Sequence, residues 1–190
     1  MVRNSQMSFI NIRWDDELAH GAQLWANQCK WKHDSNDVCR FTLMSEHFYE
    51  TYIFLFLRFR VGQNLFQRGL FNHDSLEVKV TPDWRKACFE WYDEVREPGL
   101  RPGMNPTKWT GGTYLGVGHF TQLIWASTEY VGCGYMVYNH PSVRNHDTQY
   151  YVCNYGAAGN YNGRPVYQGG ATCSACPEGT SCTDRGLCAR

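Results

Sequence analysis

The run "GVGHFTQLIW" (residues 116–125) sets an ionisable imidazole, His119, between a glycine-loosened approach and an aromatic, amphipathic segment. Phe120, Leu123 and Ile124 recur at the spacing of one face of a short helix. A histidine there serves as a catalyst, as a metal ligand or as a satisfied polar residue at the rim of a core. The sequence on either side has to decide between them.

Downstream, "VGCGYMVY" (131–138) and "QYYVCNYG" (149–156) read as two strands joined by a polar loop. Cys133, Tyr135 and Val137 share one side of the first strand; Tyr151, Cys153 and Tyr155 share one side of the second. Antiparallel pairing in a suitable register brings Cys133 within disulfide reach of Cys153. Upstream, "TPDWRKACFEWYDEVREPG" (81–99) is the best-punctuated helix. Thr81 is its expected N-cap, Pro82 its first helical residue and Pro98-Gly99 its stop. Trp84, Cys88, Trp91 and Val95 form its expected buried stripe, with Glu94 at the edge. "RFRVGQNLF" (58–66) alternates like a strand, placing Val61, Gln63 and Leu65 on one side. "WDDELAHGAQLWANQC" (14–29) reads as a helix with acids in its first turn. Its apolar face runs through Trp14, Leu18, Ala22, Trp25 and Cys29, and His20 points the other way. Residues 41–57 are apolar and aromatic, without turn signals and without chemistry. The whole predicts an α+β chain, a mixed sandwich of helices and strands.

Composition narrows the function classes. Lys plus Arg equals Asp plus Glu at 18 each, and no block of either sign occurs. A neutral chain without a basic stripe is a poor holder of nucleic acid, whose affinity rests on neutralising phosphates. The same balance disfavours an anionic membrane surface as the main partner. The most apolar stretch, "TYIFLFL" (51–57), is too short to span a bilayer, so no transmembrane segment is expected.

Cysteine usage points outward from the cell. Four of the nine cysteines fall in the final stretch, at Cys173, Cys176, Cys182 and Cys188. The Gly, Pro, Ser and Thr between them cannot build an apolar core, so covalent staples must hold residues 171–190. C-x2-C opens many zinc sites, yet the remaining spacings are five residues, no histidine lies near and no second C-x2-C follows. Two disulfides are the better reading. An oxidising compartment follows, although "MVRNSQMSFINIRW" carries no secretory signal; an incomplete N-terminus reconciles the two.

The polar residues able to carry chemistry are His33, Gln63, Glu94 and His119, with Asp34 and Asn64 beside two of them. Two imidazoles and a carboxylate suit a divalent metal, zinc foremost, or general acid–base work. On spacing alone the better reading is separate surface or edge polar groups, since they come from distant segments and no His-x3-His pair occurs. Nucleophilic catalysis is less favoured: there is no G-x-S-x-G, Ser127 has no evident base, and Cys88 lies on an expected core stripe. No phosphate-cradling glycine loop is present.

"GHFTQLIWAST" (118–128) and "YYVCNYGAAGNY" (150–161) resemble the paired signatures of the CAP superfamily: cysteine-rich secretory proteins, antigen-five venom allergens and plant pathogenesis-related proteins. "WDDELAHGAQLWANQCKWKHD", "RFRVGQNLF" and "WYDEVREPG" are similar to its other blocks in the same order, and the likeness is to the arthropod venom-allergen branch. The resemblance implies a three-layer α-β-α sandwich over residues 1–170, followed by a short disulfide-rich tail at 171–190. It also implies a cavity lined by two histidines and two acids that can hold a divalent cation. His33 and His119 match the histidines and Glu94 one acid, while Gln63 stands where many relatives have glutamate. The loss of one charge predicts a weakened zinc site, with His33 and His119 as its ligands and no required cofactor. The helix that opens most relatives is missing, and 41–57 is an unmatched insert. Cys29, Cys39 and Cys88 are left over. The expected function is that of a secreted monomer, non-enzymatic, binding a lipid, a sterol or a protein target such as a receptor or channel, with the 139–149 loop available for recognition. The alternatives are a protease-like hydrolase using His119 and Glu94, and a channel- or receptor-modulating toxin acting through the tail.

Overall fold

The structure is a computed structural model that describes residues 6–7, 9–34, 59–70, 81–100, 116–139 and 147–190. The unmatched insert, Cys39 and most of the 139–149 loop lie outside the described residues. In chain order the elements are β1 (Gln6–Met7), β2 (Phe9–Ile10), β3 (Arg13–Trp14), α1 (Asp16–Ala26), β4 (Val61–Leu70), α2 (Trp84–Asp93), a π-helical turn (Val95–Gly99), α3 (Gly118–Leu123), β5 (Tyr130–Asn139), β6 (Asp147–Gly156), β7 (Gly169–Gly170), β8 (Ser181–Cys182) and β9 (Leu187–Ala189).

Four strands form the central sheet in the order β3-β5-β6-β4. β6 pairs antiparallel with β5 on one side and β4 on the other, along ten residues each. Its side chains alternate between two buried faces. Tyr150 and Val152 meet Ala22, Trp25 and Ala26 of α1 and Leu65 of β4. Tyr151, Cys153 and Tyr155 meet Ala87 and Trp91 of α2. Each large aliphatic side chain removed from water here, Leu18 and Leu65 included, contributes about 1.5–3 kcal/mol. A strand buried on both faces needs a helical layer on each, and this is the α-β-α sandwich.

Two glycines decide how closely α1 lies on the sheet. A Cβ on Gly132 would stand 2.0 Å from the Ala19 nitrogen, and one on Gly134 would stand 2.3 Å from that of Gln23. The alternation in "VGCGY" therefore clears a track for the helix backbone. Gln23 then uses its amide like a short strand, donating to the Tyr135 carbonyl at 2.8 Å and accepting from the Tyr135 N–H at 2.9 Å.

The helix boundaries differ from expectation. α1 is capped by Asp15, whose side chain accepts from the Leu18 N–H at 2.9 Å. Trp14 is therefore excluded from the helix; it lies in β3 and is 58% exposed. Cys29 lies beyond the other end, at a positive φ of 55°. α2 is capped by Asp83 rather than Thr81, because the Asp83 carboxylate reaches the Lys86 N–H at 2.9 Å. Its buried residues are Ala87 and Trp91; of the expected stripe, Trp91 is buried and Trp84 packs against the same cluster, whereas Cys88 is exposed. β4 runs four residues further than "RFRVGQNLF" predicts.

Cys133 and Cys153 are direct cross-strand partners and are bonded. In the tail, Cys173 is bonded to Cys182 and Cys176 to Cys188. The tail is tied to the sandwich by the first strands of the chain. β1 pairs with β7, β2 runs parallel to β9, and β3 runs parallel to β5. The Asn11 N–H extends the second of these pairings to the Cys188 carbonyl at 2.8 Å.

Candidate functional site

The sheet ends at β4, and the site is assembled around that edge. Gln63 faces the α1 layer, paired across the ladder with Asn154, whose amide donates to the Leu18 carbonyl at 3.4 Å. The neighbouring Asn64 faces the other layer, where its amide donates to the His119 carbonyl at 3.0 Å and to the Tyr155 hydroxyl at 3.3 Å. Trp91 covers the edge itself, donating from its indole N–H to the Leu65 carbonyl at 2.9 Å. An edge strand covered in this way is withdrawn from further strand pairing.

Glu94 follows the last residue of α2 and engages the start of α3. Its Oε2 accepts from the His119 and Phe120 backbone N–H groups at 2.9 and 3.0 Å, two of the donors that a helix start leaves without intrahelical partners. Its Oε1 accepts from His119 Nδ1 at 2.6 Å. Nδ1 therefore carries a proton, and in the neutral ring this tautomer leaves the lone pair on Nε2.

The second imidazole is oriented by the same logic. The Asp34 N–H donates to one atom of the Gln63 amide at 3.1 Å, which identifies that atom as the oxygen. The same Oε1 accepts from His33 Nδ1 at 3.2 Å, and Gln63 Nε2 donates to Asn154 Oδ1 at 3.1 Å. Nε2 of His33 is thereby also left as an acceptor. The two rings have centroids 6.4 Å apart, and Trp91 lies behind His119 at 6.5 Å. Desolvation pushes the His33 proton affinity down, the Gln63 hydrogen bond opposes this, and the neighbouring His119 adds to it.

The structure thus brings His33, Gln63, Glu94 and His119 into one constellation, with Asp34 and Asn64 contributing backbone and amide contacts. The imidazole Nε2 atoms are suitable zinc donors. Rings sharing a tetrahedral zinc ion sit closer together, roughly 5 Å between centroids, so a cation has to draw them inward. Glu94 and Gln63 are spent on orienting the rings from behind. Among the described residues, the group of three or more metal-type donors is instead the tail sulfurs of Cys173, Cys176 and Cys188. Those sulfurs are tied up in disulfides and are not the thiolates that bind metal.

Ser127 accepts from the Trp125 indole N–H at 3.1 Å, and no imidazole contacts it among the described residues. Sequence reasoning missed Asn154, which holds the Gln63 amide in place, and Gln122, whose Oε1 accepts from the Gly159 N–H at 2.8 Å and ties α3 to the loop after β6. A signal for Gln122 was present: a polar residue inside the apolar run "FTQLIW" needs a buried partner.

Comparison with known proteins bears on this arrangement. Residues 7–155 match the cysteine-rich secretory protein (CAP) family. The chain is 40% identical over 189 residues to a cysteine-rich venom protein of Tityus serrulatus, covering 97% of this chain and 39% of that protein. It is 35% identical over 157 residues to venom allergen 5 of Polybia scutellaris rioplatensis, covering 83% of this chain and 61% of that one. The chain thus spans between about two fifths and three fifths of these relatives' lengths. Among solved structures, BmVAL-1 superposes with a TM-score of 0.69 at 25% identity, over 97% of this chain and 79% of that one. NaASP2 with Zn2+ superposes with a TM-score of 0.65 at 28% identity, over 96% and 78%.

Proposed function

The chain belongs to the CAP family, in its arthropod venom-allergen-like branch, and on that premise we propose that it is a secreted, non-enzymatic binding protein whose paired histidines hold a divalent cation weakly. The observation that carries this reading is the fate of the carboxylate. Glu94 gives both oxygens to α3 and His119, so it orients a ligand and is not poised to take a proton from substrate. A hydrolase needs a nucleophile beside a base that is itself oriented. Here His119 is oriented, but the hydroxyl named for the role, Ser127, is bonded to Trp125. Three disulfides and the venom-protein relatives support an extracellular destination. A disulfide-held sandwich displaying its loops suits recognition of a lipid or protein target.

Calorimetric zinc titration tests the site. The wild-type chain takes up zinc with micromolar or weaker affinity, and His119→Ala removes the heat. Gln63→Glu restores a negative group behind His33 and tightens binding about ten-fold, the usual scale for a group that supports a ligating imidazole. Equal heats from wild type and His119→Ala would sink the proposal.

A further inference from the structure

A cleft of about 590 Å³ lies where the tail meets the sandwich, on residues that the histidine constellation does not use. Trp125, Ser127, Tyr161, Arg164 and Tyr167 line its sandwich side, and Pro177 lines it from the tail. Three of these six are aromatic. The Trp125 and Tyr161 rings stand edge to face with centroids 6.3 Å apart, and the Arg164 guanidinium lies over the Tyr161 ring at 5.6 Å. Arg164 is the sole charged residue among the described lining residues, and a guanidinium carries five N–H donors to share among partners. Ser127 spends its oxygen on the Trp125 indole and keeps a hydroxyl proton to give.

We propose that this cleft binds a planar aromatic acid, its rings against Trp125 and Tyr161 and its carboxylate against Arg164 and Ser127. The volume suits a small ligand, and aromatic walls with a few convergent polar groups are what such sites are made of. Aromatic partners gain from edge and offset contacts that an alkyl chain lacks, and a guanidinium reads a carboxylate through paired charge-assisted hydrogen bonds. Because the tail supplies one wall, the cleft exists only in the chain with its tail in place. The inference rests on the binding-protein reading given above and assigns it a location and a ligand class.

The test is calorimetric titration of the full chain with 2-naphthoate, with the neutral 2-naphthalenemethanol and dodecanoate alongside. Naphthoate binds saturably to wild type. Arg164→Gln weakens it about ten-fold, the scale of a lost charge-assisted contact, and leaves the neutral alcohol unaffected. Ala175→Trp fills the cleft from the tail and abolishes both. Arg164 and Ala175 are both exposed, so neither change threatens the fold, and melting curves verify this. The inference is overturned by absence of saturable naphthoate binding, by binding indifferent to both substitutions, or by dodecanoate binding as tightly as naphthoate. Zinc titration of the same preparations reads the histidine pair independently, so failure of the cleft and failure of the cation site are told apart.

Discussion

Glu94 divides one carboxylate between two tasks, its two oxygens serving a helix start and an imidazole N–H at once. Glu94→Gln keeps a single acceptor and turns an amide N–H toward donors. It is expected to cost about 1.5–3 kcal/mol in urea unfolding, the range for hydrogen bonds to a charged group, and to weaken zinc uptake as His119 loses its fixed tautomer. His33 carries a pH signature. Its folded proton affinity lies below the unfolded value of 6.5, so the unfolded chain binds the extra proton. The associated stability is complete above pH 6.5 and is lost as pH falls through that value toward the folded one. Urea midpoints at pH 7.5 and pH 5.5 should show a small drop with acid that His33→Gln removes. The motifs made His119, Glu94, Gln63 and His33 legible as a set. The role of Gln63 was legible only as a missing charge, because its work of accepting from both His33 and Asp34 depends on groups 30 and 29 residues away in sequence.

At the scale of elements, glycine spacing in β5 fixes the packing of the first helix. Gly134→Ala drives a methyl into the Gln23 backbone and is expected to cost about 1–3 kcal/mol or more, as overpacking does, read as a lowered urea midpoint. Strand identity and pairing around Cys133 and Cys153 were legible because aromatic and β-branched residues crowd both runs and a polar loop joins them. Helix starts were read less well. "WDDEL" and "TPDW" each offer more than one capping residue, and only the side chain that reaches a backbone N–H decides which acts. The cap does not set the buried face of α2: Trp84 and Trp91 pack inward as expected, and Ala87 rather than Cys88 fills the turn between them. The β1, β2 and β3 pairings had no readable signature, since strands of two residues are too short to show a period.

Across the whole molecule, the sheet and the tail are held by different means. The Cys133–Cys153 bridge closes a separation of 20 residues; its removal by paired serine substitution should cost about 3 kcal/mol in the loop-entropy view, measured as a lowered melting temperature under otherwise equal conditions. The tail has no comparable core and leans on its two bridges and on β2. Since β2 lies near one end of the described chain and its partner β9 near the other, the small sheet they share cannot close until synthesis has passed residue 189. The first strands and the tail are thereby bound to one another, so a reductant that opened Cys176–Cys188 would loosen both together.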